Sequence, residues 1–162
     1  MGLSGSYVAV VGSSTGTPAE LAAAEEVGGL IAAQGWVLVC GGLGGVMDAA
    51  ARGCAATGGT SVGILPGDDR GAGSRHLGIA ISTGLGEARN AIVVRTVDAV
   101  IAIGGEFGTL SEIALALKMG KPVVGLGTWE LLREDVTGDP IIRASIPEEA
   151  IAAVRTTLGG GS

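Results

Sequence analysis

Ala99-Val100-Ile101-Ala102-Ile103-Gly104-Gly105-Glu106-Phe107-Gly108-Thr109-Leu110-Ser111-Glu112 joins an apolar run, a glycine turn and the start of a helical pattern in one stretch. The run lacks polar alternation, as a strand buried on both faces requires. The helical pattern then extends from Leu110 to Met119. Glycine lets backbone N–H groups crowd against a ligand, and a helix N-terminus presents about half a positive charge. The stretch therefore reads as the centre of an anion site, with phosphate as the expected anion. Its candidate contacts are Gly104, Gly105, Glu106, Phe107, Gly108 and Thr109.

The same grammar occurs twice upstream. Tyr7 to Gly12 is an apolar run, followed by Ser13-Ser14-Thr15-Gly16. Thr17 is placed as an N-cap and Pro18 as the first residue of a helix running to about Gln34. Trp36 to Cys40 is a second buried strand, followed by Gly41-Gly42-Leu43-Gly44-Gly45 and a helix opened by Val46-Met47-Asp48. Further strands are expected at Thr60–Leu65, His76–Ile81 and Pro122–Leu126, and helices at Glu87–Thr96 and from Pro147. Asp68 to Ser74 reads as a loop and Gly127 to Asp139 as an acidic connection.

Buried strands alternating with helices predict a doubly wound parallel α/β sheet with helices on both faces. Ligands of such sheets bind at the carboxyl ends of the strands, where strand order reverses. Turns Gly12–Gly16, Gly41–Gly45 and Gly104–Gly108 should all lie on that edge.

The chain has 162 residues, 31 of them glycine, with 47% hydrophobic and 2% aromatic residues. Small aliphatic side chains must build the core. The length suits one domain spanning 1–162, with frayed ends at 1–5 and 159–162. A net charge of −6 argues against nonspecific nucleic-acid binding, which needs a basic face. No apolar run reaches the ~18 residues of a membrane span, and no signal-peptide pattern opens the chain. Met1-Gly2-Leu3-Ser4-Gly5-Ser6 matches the loose myristoylation pattern, but a short disordered leader also accounts for it. Cys40 and Cys54 read as buried thiols of a cytoplasmic protein, not a disulfide. With His76 as the one histidine, a Cys/His metal site lacks ligands.

Several residues admit two readings. Thr109-x-x-Glu112 spells a capping box, which would occupy both side chains; alternatively Glu112 faces a ligand hydroxyl or an attacking water. Arg89 sits in the expected first turn of a helix, where a cation opposes the dipole. It is either an exposed arginine paired with Glu87 or a planar fork for phosphate. Asp48 is a first-turn acid or a sugar ligand. Ser13 and Ser14 either donate to phosphate or shape their turn. The turns lack G-x-G-x-x-G and Gly-Lys-Ser/Thr, so neither NAD nor P-loop chemistry is indicated.

Gly104-Gly105-Glu106-Phe107-Gly108-Thr109-Leu110-Ser111-Glu112 resembles the P-G-G-x-G-T-x-x-E motif of the LOG-like proteins, long labelled "possible lysine decarboxylases". Val39 to Met47 resembles their second glycine motif, and Gly86-Glu87-Ala88-Arg89-Asn90 their arginine-bearing helix start. The resemblance covers nearly the whole chain. It is nearest to the short Rossmann-like branch that includes molybdenum cofactor carrier proteins. It implies a Rossmann-like fold, homo-oligomers (a dimer or tetramer), and Arg89 and Glu112 as the catalytic pair of a nucleoside 5′-monophosphate phosphoribohydrolase. Ile103 replaces the motif's proline, and Asn90 a lysine. These departures favour a carrier that holds an AMP-like nucleotide or molybdenum cofactor, with no cofactor of its own required. Lys118 and Lys121, at the far end of the central helix, are misplaced for lysine decarboxylase chemistry.

Overall fold

The computed structural model describes residues 5–160; the myristoylation-like pattern at the N-terminus lies largely outside them. Among the described residues, seven strands and five α-helices follow one another. They are β1 (Tyr7–Gly12), α1 (Pro18–Ala33), β2 (Val37–Cys40), α2 (Val46–Ala56), β3 (Ser61–Leu65), β4 (Ile79–Ser82), α3 (Arg89–Thr96), β5 (Ala99–Ile103), α4 (Phe107–Lys118), β6 (Val123–Leu126), β7 (Ile142–Ala144) and α5 (Pro147–Gly159). The strands form one sheet in the order β4-β3-β2-β1-β5-β6-β7. Every neighbouring pair is parallel. This is the Rossmann-like α/β fold that the alternation of strands and helices requires.

Side chains alternate across each strand and so sort into two layers. Val8 and Val10 face the layer built with Val27, Ile31, Ala50 and Val154, from α1, α2 and α5. Ala9 and Val11 face the layer built with Val93, Val94, Ile113 and Ala116, from α3 and α4. The central strands are buried on both sides, which is why they carry no polar alternation. No helix among the described residues is long and apolar enough to cross a membrane.

Two glycines set the approach of α1 to α2. A Cβ on Gly28 would overlap the Ala50 carbonyl, and one on Gly53 would overlap the Glu25 carbonyl. The two backbones therefore touch directly, with no side chain between them.

Besides one-residue shifts at the starts of β2, β3 and β6, four boundaries differ from the sequence reading. Helix α4 starts at Phe107, not Leu110, because Glu106 takes the extended N-cap conformation. Strand β4 spans Ile79–Ser82, not His76–Ile81; Gly78 N–H is drawn off to Ser61 Oγ at 3.0 Å just before it. A 3-10 turn, Gly86–Ala88, precedes α3, which begins only at Arg89. Helix α5 continues through Gly159, where a frayed end was expected. Strand β7 was not expected at all. It is a three-residue edge strand whose central Arg143 bonds Asp139 and the carbonyls of Thr128 and Trp129.

Candidate functional site

The turns after β2, β1 and β5 end up side by side because those strands are neighbours in the sheet. β1 is where the chain's winding reverses, so the turns flank a switch point. A cleft of about 300 Å³ opens there. Among its walls are Gly12 at the end of β1, Ser13 and Ser14 just after it, Met47 on α2, Arg89 and Asn90 on α3, and Thr109 and Glu112 on α4.

The central turn needs its glycines. Gly104 and Gly105 have φ of +53° and +98°. A Cβ on Gly105 would overlap the Thr109 side chain, and one on Gly104 would overlap the Glu20 carboxylate. This tight turn delivers the first turn of α4 to the cleft, and no side chain caps that helix. Its first N–H groups, around Phe107 to Thr109, thus lack helical partners by geometry.

Of the two readings of Thr109 and Glu112, the capping box does not form. Thr109 falls inside the helix, and both residues are buried, at 3% and 8% exposure. A capping box forms instead at α1, where Glu20 N–H donates to Thr17 Oγ1 at 3.2 Å and Thr17 N–H to Glu20 Oε2 at 3.0 Å. Glu112 is left free to line the cleft. Burial pushes its carboxyl up to about 7, against the opposing pull of the Arg89 guanidinium.

Arg89 is not the exposed partner of Glu87. It is 8% exposed, as the first residue of α3. Its guanidinium lies over Gly41, where a Cβ would come within 2.7 Å of Nη2. Nη1 donates to Asn90 Oδ1. The buried Nε has no partner. Asn90 Nδ2 in turn reaches Ser111 Oγ at 3.4 Å, and Ser111 Oγ donates to the Gly108 carbonyl at 2.7 Å. This chain of bonds ties the start of α3 to the start of α4. Asn90 entered the sequence reading only as a missing lysine; its place beside Arg89 was the available signal.

Gly41, Gly42, Gly44 and Asp48 stand around the cleft without lining it. Gly41 floors the guanidinium. Gly42, at φ +77°, accepts Ser74 N–H on its carbonyl at 2.8 Å. Asp48 accepts the Ser74 hydroxyl at 2.5 Å and lies 3.7 Å from Arg52, so it anchors the loop after β3. Gly44 passes near the Ser14 carbonyl, and Ser13 O accepts Val46 N–H at 3.0 Å, joining the first two turns. Glu106 and Gly108 line the cleft. Phe107 stands at its rim, 78% exposed, 5.5 Å from the Trp129 ring. Met47, Leu43, Pro66 and Glu87 line the cleft without having been singled out. Burial pushes the Cys40 thiol up to about 12, and both cysteines are free. Lys118 and Lys121 lie at the opposite end of α4, where it leads into β6.

These features define a class: a Rossmann-like α/β protein whose glycine turns build a cleft at the switch point of a parallel sheet. The profile of the SLOG cluster4 family matches residues 5–151, and the chain belongs to that family. A molybdenum cofactor binding protein of the phototrophic bacterium Rippkaea orientalis is 40% identical, with a TM-score of 0.88 over 97% of this chain and 99% of that one. The molybdenum cofactor carrier protein of Chlamydomonas reinhardtii is 36% identical, with a TM-score of 0.83 over 96% of this chain and 99% of that one. A protein of Archaeoglobus fulgidus is 50% identical over 103 residues, which are 64% of this chain and 68% of that one. The chain thus sits in the branch of LOG-like proteins whose solved structures include molybdenum cofactor carriers.

Proposed function

We propose that this chain is a cytoplasmic carrier that binds molybdenum cofactor, a pterin phosphate, in the cleft without altering it. The observation that supports this most is Arg89 Nε, a buried charged donor with no protein partner, set beside the uncapped start of α4. A buried guanidinium is costly until an anion completes its hydrogen bonds. The phosphate would take N–H donors from Gly105 to Thr109 and the free side of Arg89. Glu112, protonated below about pH 7, can donate to a phosphate oxygen instead of repelling it. Similarity to the two molybdenum cofactor proteins supports the choice of cargo. The same reading includes a homo-oligomer, supported by Ile79 and Ile81 of β4, which stand exposed in register with Val62 and Ile64 of β3.

A second reading is a LOG-type phosphoribohydrolase that splits a nucleoside 5′-monophosphate into base and ribose 5-phosphate. The freedom of Glu112 favours it, since a carboxyl near pH 7 suits acid–base work. One experiment separates the two. The chain and its Arg89→Ala variant are titrated with molybdenum cofactor and inorganic phosphate, and incubated with AMP. A carrier shows saturable binding that Arg89→Ala weakens at least about tenfold, near the ~1.5–3 kcal/mol of a charged hydrogen bond, and yields no free adenine. Adenine release that vanishes in Arg89→Ala and Glu112→Ala would overturn the carrier reading.

A further inference from the structure

Residues 127–141 connect β6 to β7 without a helix of their own. A connection of this length in a compact domain usually serves a function. This one is tied down at its two ends. Asp139 accepts the Ile141 N–H at 3.0 Å and Arg143 Nε at 2.9 Å. Arg143 in turn donates to the carbonyls of Thr128 and Trp129. One carboxylate and one guanidinium thus close the loop and fix its backbone at Thr128 and Trp129.

Both of those side chains reach the turn between β5 and α4. Thr128 Oγ1 donates to the Gly104 carbonyl at 2.5 Å, and Trp129 Nε1 to the Glu106 carbonyl at 3.2 Å. Gly104 N–H is spent on the Leu126 carbonyl at 3.0 Å. The Trp129 ring also rests on Phe107, with centroids 5.5 Å apart. Neither Thr128 nor Trp129 lines the cleft.

A trans peptide directs its C=O and its N–H to opposite sides. Two carbonyls of the turn are held toward the loop after β6, so the N–H groups of Gly105 and Phe107 aim away from it. In the sheet, β5 stands between β6 and β1. Away from β6 is therefore toward β1 and the cleft. A peptide whose carbonyl already accepts a bond is also polarised, which makes its N–H a stronger donor.

We propose that Thr128 and Trp129 are positioning residues of the anion site. They grip the far side of the two peptides whose N–H groups face the phosphate, and the Asp139–Arg143 pair holds both in place. The inference rests on the reading of the cleft as a phosphate site and adds the loop that aims its donors.

Calorimetric titration with inorganic phosphate tests it on the full chain and on Thr128→Val, Thr128→Ser and Trp129→Phe. Valine keeps the shape of threonine and lacks its donor. Phenylalanine keeps a ring against Phe107 and lacks the indole N–H. Thr128→Val and Trp129→Phe each lower phosphate affinity by about fivefold, the order of one neutral hydrogen bond. Thr128→Ser restores it. Melting curves confirm that the variants fold, and a second readout needs only the wild-type chain. Saturation with phosphate moves the Trp129 indole N–H resonance downfield, because the Glu106 carbonyl accepts more strongly once Phe107 N–H donates to an anion. Wild-type affinity in Thr128→Val or in Trp129→Phe overturns the assignment of that residue. An affinity in Thr128→Ser as low as in Thr128→Val assigns the loss to packing and overturns it for Thr128, and an unmoved indole resonance overturns it for Trp129. In each case Arg89-dependent phosphate binding leaves the cleft reading standing. Absence of phosphate binding by the wild-type chain overturns both.

Discussion

Glu112 carries its proton well above the ordinary carboxyl value of 4.5, up to about 7, because it is buried. Below pH 4.5 the folded and unfolded chains both hold that proton, and the group has no net effect on stability. As pH rises toward 7, the unfolded chain releases the proton while the folded chain keeps it. The unfolded state then binds fewer protons, so stability falls through this window and the loss is complete above it. Glu112→Gln should leave thermal stability unchanged at pH 4 and raise it at pH 8 by on the order of 1–3 kcal/mol. A gain of the same size at both pH values would show that burial of the ionised group is not its cause. Sulfate, which stays a dianion, provides the matching ligand test. Its affinity for the wild-type chain should fall as pH rises through 7 and stay level in Glu112→Gln. Arg89, Glu87 and Glu106 share the cleft with this carboxyl, so the drop reports the balance of charge around an anion held by one guanidinium.

At the level of elements, the contact of α1 with α2 reverses a general rule. Alanine in place of a helical glycine ordinarily stabilises by ~0.5–1 kcal/mol. At Gly53 the new Cβ meets a backbone carbonyl, which has no rotamer to yield. Overpacking of ~1–3 kcal/mol then outweighs the helix gain. Gly53→Ala should lower the urea midpoint, whereas Gly159→Ala, with open space around it, should not. A stabilised Gly53→Ala would mean that the helices can part at little cost. The same elements show what was readable beforehand. Strands β1, β2, β5 and β6 were legible because burial on both faces erases polar alternation. Strand β7 was not, because three edge residues around an arginine carry no period. The start of α4 was misjudged because Thr109 and Glu112 match a capping signature that the backbone meets one turn earlier. Their burial beside Arg89 depends on how α3 and α4 dock, which no local pattern encodes. Arg89 was visible as a cation placed against a helix dipole and as the arginine of the resembled helix start, and its unpaired Nε only in three dimensions.

For the whole molecule, coverage of the sheet is uneven. One face carries three helices and the other two, α3 and α4. On that second face, Ile79 and Ile81 project from β4 in register with Val62 and Ile64. With Leu85 and Ile92 they are at least 37% exposed. An apolar edge of this kind is a site for association. The proposed homo-oligomer should therefore give way to a monomer when Ile79 and Ile81 are both changed to lysine, as read by light scattering after size exclusion. A wild-type chain that is monomeric at micromolar concentration would sink the proposal.

The sheet is also two blocks joined along a single seam. Strands β1 to β4 form one and β5 to β7 the other, and they meet in the sheet along β1 and β5, where Val8 lies opposite Ala99. The cleft opens over that seam and takes Gly12, Ser13 and Ser14 from one side and Thr109 and Glu112 from the other. A ligand bound there would touch both blocks and so add a brace across the seam. Because it binds only the joined form, it lengthens the lifetime of the chain that holds it. On the carrier reading proposed above, a loaded molecule would outlast an empty one, and the cell's pool of this protein would follow the supply of that ligand without any separate regulator.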